Sequence, residues 1–490
     1  MPPGSDALIG SNGGGFSVLG SGSTLYFAKS MVSDCHARLQ GGAFYMLQGG
    51  RLVMTDSTAT GCTAPQGGAF SNEFRGNVKL VRSTVEACMA SEEGGAVFQS
   101  NDPSNVFRAI DSSFVGCQSA GDGGVLTIIA GRASITGGRT TDCEARFGGA
   151  VQAQGGNLDI DGHVFTDCTA TVDGGVLLVD HKTMNMGAHT TLTGCIMINC
   201  HSTRGGVISI VTGVATVQDC TMQGARASLG GSVIVSGGKL SLLRTNISDS
   251  EAAIGGGDLY VDGGEADVQG CVFERGRSLG GVGGSVVVAS GMLRIVGSII
   301  RASSIQLTNG VGAAFYVAGG RLDLQAVQIL DCAVPSPPAG GLVYVSKEAR
   351  FRAVLLESEL DCSGSIVIVS EDPARVLDVA GLSLFPSECA TPPQATQISN
   401  ARLIGCSDHS ACGVAADCTE VAVSNLTINT LLCSCTGLNT PQQSVRPQSV
   451  SVETALRVAP YIGGSEGGCT TLRRATRQRS TLSARRFKPW

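Results

Sequence analysis

Cysteine is the residue type whose spacing most suggests chemistry in this chain of 490 residues, which contains 19 cysteines. Six of them stand five or six residues before a Gly-Gly doublet and so share one phase of a repeat: Cys35, Cys62, Cys88, Cys117, Cys143 and Cys168. Cys200 keeps this spacing, whereas Cys195, Cys220, Cys271, Cys332 and Cys362 fit it loosely. Equal phase predicts that the cysteine side chains stack as one ladder.

Such a ladder allows three kinds of chemistry. The thiols can be small buried apolar groups, because free cysteine behaves as a buried hydrophobe. They can form disulfides between neighbouring repeats, although parallel Cβ vectors would strain the bond. They can bind a column of metal ions, but one thiol per repeat without histidine partners makes a poor tetrahedral site. The buried-thiol interpretation is favoured, and neither a metal nor a cofactor is expected.

Catalytic groups are sparse in the rest of the sequence. The repeats contain no Asp-Asp pair, Gly-His-Gly or Arg-x-Lys cluster, which argues against a hydrolase that uses paired carboxylates. The tripeptide Val179-Asp180-His181 is similar to one found in pectate lyases, but the residues after it do not continue that motif. An exposed loop is the simpler interpretation of Asp180 and His181. The sequence therefore predicts no catalytic residues and no enzymatic activity.

The elements that position the cysteines are set by a Gly-Gly doublet that recurs every 25 to 31 residues. A small residue and then an aliphatic or aromatic one usually follow. The doublets that we assign as structural corners are Gly41-Gly42, Gly67-Gly68, Gly94-Gly95, Gly123-Gly124, Gly148-Gly149 and Gly174-Gly175. Later copies begin at Gly205, Gly230, Gly256, Gly283 and Gly340, with a degenerate copy at Gly312.

Each repeat reads as three short strands followed by a loop. Within residues 148–174, Ala150-Val-Gln-Ala-Gln is one candidate strand, Leu158-Asp-Ile-Asp a second with period-two alternation, and His163-Val-Phe-Thr-Asp-Cys a third. Such strands cannot bury a core alone, but stacked repeats can. The period and the lack of aromatics or a Leu/Asn consensus disfavour a propeller and a leucine-rich horseshoe. We predict an all-β fold, a right-handed parallel β-helix of about 12 coils, roughly 60 Å long.

The repeat resembles that of the bacterial polymorphic outer-membrane proteins. Their double motif joins Gly-Gly-Ala and an aliphatic residue, as in Gly94-Gly-Ala-Val97, to an upstream Phe-x-x-Asn. Phe114-Val-Gly-Cys117 and Phe165-Thr-Asp-Cys168 place cysteine where that family has asparagine. The similarity covers about residues 15 to 370. It implies a β-helix of the pectin-lyase-like class and the role of a surface adhesin.

The C-terminal part of the chain has a different pattern of cysteines. After residue 384 the doublets stop, and the cysteines of the next segment resemble the first five of an EGF-like module: Cys406, Cys412, Cys418, Cys433 and Cys435. We therefore expect β-helix repeats over 1–384, a cysteine-rich module over 385–436, and a linker with a basic disordered tail over 437–490. Dense cysteines in a short segment indicate an oxidising compartment.

Charge and composition limit the partners. The chain carries a net charge of -6, and because the stretch after Cys469 holds seven cations and no acid, residues 1–469 sum to -6 - 7 = -13. This acidic body argues against nucleic-acid binding. No signal peptide or membrane segment is visible, so membrane attachment is not encoded here, and repeat-like sequence begins almost at the N-terminus, as though an upstream part were missing. We expect a monomeric extracellular or cell-surface protein that binds a glycan or a cell-surface protein. A polysaccharide lyase or hydrolase, and a purely structural spacer, are the alternatives.

Overall fold

The computed structural model describes residues 13–180, 189–332 and 342–360 and the short segments 368–370, 377–386, 401–404, 407–408 and 427–428. All regular structure in these residues is β-strand, and all of the paired strands run parallel. The strands stack into a β-solenoid of about 12 turns. The predicted all-β parallel β-helix is therefore confirmed.

Each coil begins with a short strand, which in most coils starts one residue beyond the Gly-Gly doublet. The separate first strands are Phe16–Leu19, Phe44–Leu47, Phe70–Asn72, Val97–Gln99, Leu126–Ile128, Val151–Ala153, Leu177–Val179, Ile208–Ile210, Val233–Val235, Phe315–Val317, Val343–Val345 and Ile368–Ser370.

The second strand carries the alternating pattern seen in the sequence. Its inward residues are buried and its outward residues face solvent, as in Asn157–Asp161, where only Leu158 and Ile160 are buried. The separate second strands are Thr24–Ala28, Arg51–Thr55, Asn77–Val81, Val106–Ile110, Arg132–Thr136, Asn157–Asp161, His189–Thr193, Val214–Gln218 and Lys239–Leu243, with Ala401–Ile404 at the end of the stack.

The third strand has three residues, of which the central one points inward. The third strands are Met31–Ser33, Thr58–Thr60, Thr84–Glu86, Ser113–Val115, Arg139–Thr141, Val164–Thr166, Ile196–Ile198, Thr221–Gln223, Asn246–Ser248, Val272–Glu274 and Ile299–Arg301. In later coils two strands merge into one, as in Leu259–Gln269, Val286–Val296, Arg321–Leu330, Arg350–Leu360 and Leu377–Pro386.

A fourth strand lies where the sequence predicted a loop. It forms a five-stranded sheet in the earlier coils and a four-stranded sheet in the later ones, bridged by isolated pairings at His201 and Arg204. The fourth strands are Thr63–Gln66, Met89–Glu93, Gln118–Ser119, Glu144–Phe147, Thr169–Asp173, Arg226–Leu229, Glu251–Gly255, Arg277–Ser278 and Ser304–Ile305. Ser407–Asp408 and Thr427–Ile428 form a separate pair.

Two of the corners in each coil are made by one residue in the left-handed conformation. Between the second and third strands this residue is, for example, Asp56 (φ 48°) or Gly162 (φ 60°). Between the third and fourth strands it is, for example, Asp142 or Asp167 (φ 53° each). Glycine, aspartate and asparagine tolerate this conformation best, which explains why they recur at these positions.

The two glycines of each doublet are required for different reasons. The first adopts a positive φ, as at Gly148 (φ 62°). The second meets the backbone of the next coil: a Cβ on Gly149 would lie 2.5 Å from the Thr169 carbonyl oxygen and closer still to that of Gly175. The same steric conflict repeats at Gly42, Gly68, Gly95, Gly124 and Gly175. The second glycines therefore form a column in which backbone packs directly on backbone.

The core is one continuous apolar column inside the tube. Aromatic rings stack along it in the first coils, where the centroids of Phe44 and Phe70 are 5.3 Å apart with planes 4° apart. Phe114 and Phe165 point inward from the centres of their third strands and are fully buried. In-register stacking thus gives each inward residue its neighbours from the coils above and below.

Substitution of Gly149 by alanine tests the steric role of the second glycine. We expect Gly149→Ala to destabilise the protein by about 3 kcal/mol or more, because the added methyl has no room without separating two coils. The matched control is Gly162→Ala, where a Cβ meets nothing within 4 Å and only the positive φ is penalised, at about 1–2 kcal/mol. Thermal unfolding followed by circular dichroism compares the two; equal losses would contradict the steric explanation.

Candidate functional site

The six predicted ladder cysteines occupy equivalent positions in successive coils. Each lies two residues after its third strand, and neighbouring third strands pair in register, as Thr60 with Glu86 and Val115 with Thr141. We call this position the thiol column. Its cysteines, of which only the first is partly exposed, are Cys35, Cys62, Cys88, Cys117, Cys143, Cys168, Cys200 and Cys332.

The left-handed corner explains why a small donor side chain suits the thiol column. The corner turns the chain so that each thiol reaches the carbonyl two residues earlier, with Sγ–O distances of 3.3 Å for Cys62 to Thr60 and 3.4 Å for Cys143 to Thr141. Ala225, Ser250, Gly276 and Ser303 occupy the same position in later coils. Any small residue therefore fits the column.

The environment of the column raises the pKa of three of its buried thiols, whereas hydrogen bonding lowers the pKa of Cys62 to about 7. A hydrogen bond to Cys143 and complete burial raise the pKa of Cys117 well above its usual value, and a hydrogen bond to Cys200 and burial do the same for Cys168. Burial raises the pKa of Cys332 to about 12. Because the thiolate is the reactive form, the three thiols with a raised pKa are poor nucleophiles in the folded state.

The cysteines of the thiol column are separate thiols in the described part of the chain, and all of them except Cys35 are buried. Over the same residues, no group of three or more His, Cys, Asp or Glu side chains is arranged to hold a metal ion.

Three cysteines that the sequence assigned loosely to the ladder belong to a second column. Cys195, Cys220 and Cys271 lie directly before a third strand, on the opposite side of it from the thiol column. We call this position the hydroxyl column because serine or threonine fills it in other coils, namely at Ser30, Ser57, Ser83, Ser112, Thr245 and Ser298. Spacing from the doublet alone could not separate two columns only five residues apart.

The hydroxyl column links the coils through hydrogen bonds. The backbone amide of Ser57 donates to the Ser83 hydroxyl (3.3 Å), and that of Cys271 donates to the Ser298 hydroxyl (3.1 Å). Where cysteine replaces serine the pattern persists, with the amide of Cys195 donating to the Cys220 sulfur (3.4 Å). The column satisfies corner amides that the strands leave unpaired.

His163 is an exception in the hydroxyl column. It is fully buried, its Nδ1 lies 2.6 Å from the Gly137 carbonyl oxygen, and its Nε2 lies 2.9 Å from the Thr140 hydroxyl. A neutral ring satisfies both contacts by donating to the carbonyl and accepting from the hydroxyl. Burial lowers the pKa of His163 to about 4.

Asp258 is a second buried titratable group, and the sequence analysis missed it. It directly follows the doublet of its coil, where other coils carry Ala, Val, Ser or Leu, and Ser285 donates to its Oδ2 at 2.7 Å. Oδ2 lies where a side chain at Gly276 of the thiol column would be. Burial raises the pKa of Asp258 to about 8. The sequence feature that could have identified Asp258 is an acidic residue directly after a doublet.

Asp180 stands immediately after the first strand Leu177–Val179, and its backbone amide donates to the Ala153 carbonyl (3.0 Å). His181 lies outside the described residues, as do the five cysteines of the candidate disulfide module, Cys406, Cys412, Cys418, Cys433 and Cys435. Cys362 and the doublet at Gly340 also lie outside them. The structure thus gives Asp180 a backbone contact to the preceding coil and no described histidine beside it.

An open groove runs across the fourth-strand sheet of the first coils, with a volume of about 660 Å³. Its polar lining includes His36, Arg38, Thr63, Gln118 and Glu144, and the exposed side chain of Met89 adds an apolar surface. His36 Nδ1 is hydrogen-bonded to the Thr63 hydroxyl at 2.7 Å. The volume falls in the range of small-molecule and oligomer sites.

Elsewhere the surface charges pair along the corners of the rod. Guanidinium groups bind carboxylates one coil away in two-point contacts, as Arg82 does with Asp56 (2.8 and 3.0 Å) and Arg244 with Asp219 (2.7 and 2.9 Å). These exposed pairs add little stability. They neutralise the corners, however, and so disfavour a single-sign surface that would attract a polyanion.

Comparison with known proteins returned no match to a family model, a curated protein or a solved structure. The residues that the structure describes contain no helix long and apolar enough to cross a membrane. The fold and the geometry of the groove and columns therefore carry the functional argument.

Asp258 predicts a specific pH dependence. Its pKa is raised from an unfolded value near 4 to about 8, so the neutral carboxyl stabilises the fold fully below about pH 4, and this contribution is lost as the pH rises toward 8. We expect Asp258→Asn to remove this loss, so that the variant melts above the wild type at pH 8 but not at pH 4. The control is Asp159→Asn on the exposed face; parallel curves for the wild type and Asp258→Asn would contradict the prediction.

His163 predicts the opposite dependence. Its folded pKa of about 4 lies below the unfolded value near 6.5, so stability is complete above about pH 6.5 and falls as the pH drops toward 4. We expect His163→Gln to flatten this decline in melting temperature between pH 7 and pH 4. An exposed control, His189→Gln, should behave as the wild type, and an unchanged slope in His163→Gln would refute the assignment.

Proposed function

We propose that this protein is a non-enzymatic extracellular or cell-surface β-helix scaffold that binds an elongated ligand, either a glycan or a cell-surface protein. The observation that carries the proposal is the groove on the fourth-strand sheet. It crosses several coils, so one ligand can contact equivalent positions spaced by the distance between strands, about 4.8 Å.

The lining of the groove suits a neutral, hydroxyl-rich ligand better than a charged one. It offers one cation, one carboxylate, an imidazole and an amide beside the hydroxyls of Thr63 and Ser91. Amide and hydroxyl groups can donate to and accept from sugar hydroxyls, and a carboxylate can accept from them. The Met89 side chain can cover an apolar face of the ligand.

The surface location rests on sequence arguments. The repeats resemble those of polymorphic outer-membrane proteins, and the five cysteines from Cys406 to Cys435 resemble a partial EGF-like module. Both resemblances imply a pectin-lyase-like adhesin in an oxidising environment outside the cell. A monomer is the proposed state, since each coil obtains its neighbours from its own chain.

The enzyme alternative finds weaker support. The carboxylates that are buried in the described residues have partners that fix them in place, as Arg204 and Ser209 do for Asp173. Glu144 is the carboxylate in the groove lining, so a pair of acids at catalytic separation is lacking there. A structural spacer remains the third candidate and predicts no ligand at all.

Binding to a glycan array and to cultured cells tests the proposal with the full chain. We expect saturable binding that a soluble glycan or a cell-surface protein competes away, and a loss of roughly tenfold or more in affinity for His36→Ala combined with Gln118→Ala, which removes two polar contacts. The matched control is Arg108→Ala on the second-strand face. Release of reducing or unsaturated sugars from polygalacturonate would favour the enzyme, and absence of both binding and release would favour the spacer.

A further inference from the structure

The thiol column continues through seven successive coils, from Cys35 to Cys200, without interruption. Because the neighbouring strands pair in register, the Cα atoms of adjacent column residues are separated by about the strand spacing of 4.8 Å. This separation lies inside the Cα range that a disulfide bridges, about 4.4–6.8 Å, and a bridge between the parallel Cβ vectors would carry the strain noted for the ladder. The column therefore places oxidisable partners one coil apart along more than half of the described rod.

Burial divides the column into one partly exposed cysteine, Cys35, and six buried ones. When each of these six is paired with a neighbour one coil away, Cys62 falls with Cys88, Cys117 with Cys143 and Cys168 with Cys200. In the hydroxyl column Cys195 and Cys220 also lie one coil apart, and the Cys195 amide donates to the Cys220 sulfur at 3.4 Å.

We propose that the β-helix carries four inter-coil disulfide sites, Cys62–Cys88, Cys117–Cys143, Cys168–Cys200 and Cys195–Cys220, which close when the protein folds in an oxidising compartment. This goes beyond the binding role proposed above and does not depend on it. Each bridge would link one coil covalently to the next and close a loop of about one repeat.

The chemistry requires a small disulfide, such as oxidised glutathione, as the oxidant. One cysteine thiolate attacks a sulfur of this disulfide and releases one glutathione thiolate, which leaves a mixed disulfide on the protein. The paired cysteine then displaces the second glutathione. Two protein thiols are oxidised, one glutathione disulfide is reduced to two thiols, and one protein S–S bond forms.

Burial determines when this exchange can occur. The paired thiols are between 0 and 2% exposed in the folded chain, so an oxidant cannot reach them once the coils have stacked. Exchange must take place while neighbouring coils are docking, and the completed bridge is then shielded from reduction. Oxidation of the folded, reduced protein should therefore be slow and limited by unfolding.

Cys271 provides an internal control. It lies in the hydroxyl column between Thr245 and Ser298, so it has no cysteine on either adjacent coil. It is buried like the paired cysteines, and burial raises its pKa to about 11. A process that oxidises buried thiols without regard to register would include Cys271, whereas the proposed bridges would not.

The experiment is disulfide mapping of the full chain, refolded in a glutathione redox buffer, alkylated in denaturant and digested without reductant. We expect mass spectrometry to find the four linked peptide pairs, with Cys271 alkylated. Three results would each overturn the proposal. The first is free alkylated thiols throughout the column, and the second is the offset pairing that starts with Cys35–Cys62. The third is linkage of Cys271 to a column cysteine as often as the four proposed pairs are linked.

Variants give a second readout. Cys117→Ser combined with Cys143→Ser should fold, because serine already occupies this column at Ser250 and Ser303. The oxidised wild type should melt at a higher temperature than the reduced form, and this difference should shrink in the double variant but persist in Cys271→Ser. An equal difference in all three proteins would contradict a contribution from the Cys117–Cys143 bridge.

Discussion

Direct packing of backbone on backbone at the second glycine of each doublet is the contact on which the coil stack depends. At Gly149, as at its equivalents, the carbonyl of the next coil occupies the space of a side chain. This contact fixes the edge of each coil that carries a doublet relative to its neighbours. The inward residues, the thiol column and the hydroxyl column then fall into register, because each lies at a set number of residues from its adjacent corners.

The periodic parts of the fold could be predicted from the sequence, because stacking requires the same residue type at the same phase in many coils. The doublets, the alternating second strand and the cysteines after the third strand all repeat in this way. The fourth strand could not be predicted, since segments such as Thr63–Gln66 are short and contain proline and polar residues. They pair because the corners on either side hold them in place.

The individual departures from the repeat were the least predictable features. His163 replaces a small residue of the hydroxyl column and Asp258 replaces the small or aliphatic residue after a doublet, and their pKa values depend on burial by neighbouring coils rather than on local sequence. The groove is equally non-local, because Arg38, Gln118 and Glu144 belong to different coils. The repeat makes the scaffold predictable from the sequence, whereas the residues that depart from it can be interpreted only in the structure.

The block from the start of the second strand to the thiol column has a constant length. Asn157 to Cys168 and His189 to Cys200 both span twelve residues, although their coils differ in length. Most of the difference falls in the turn after the first strand, which has three residues at 154–156 and six at 100–105. That turn is consequently where peptide epitopes could be grafted onto one side of the rod, at successive heights, without shifting the stacking of the core.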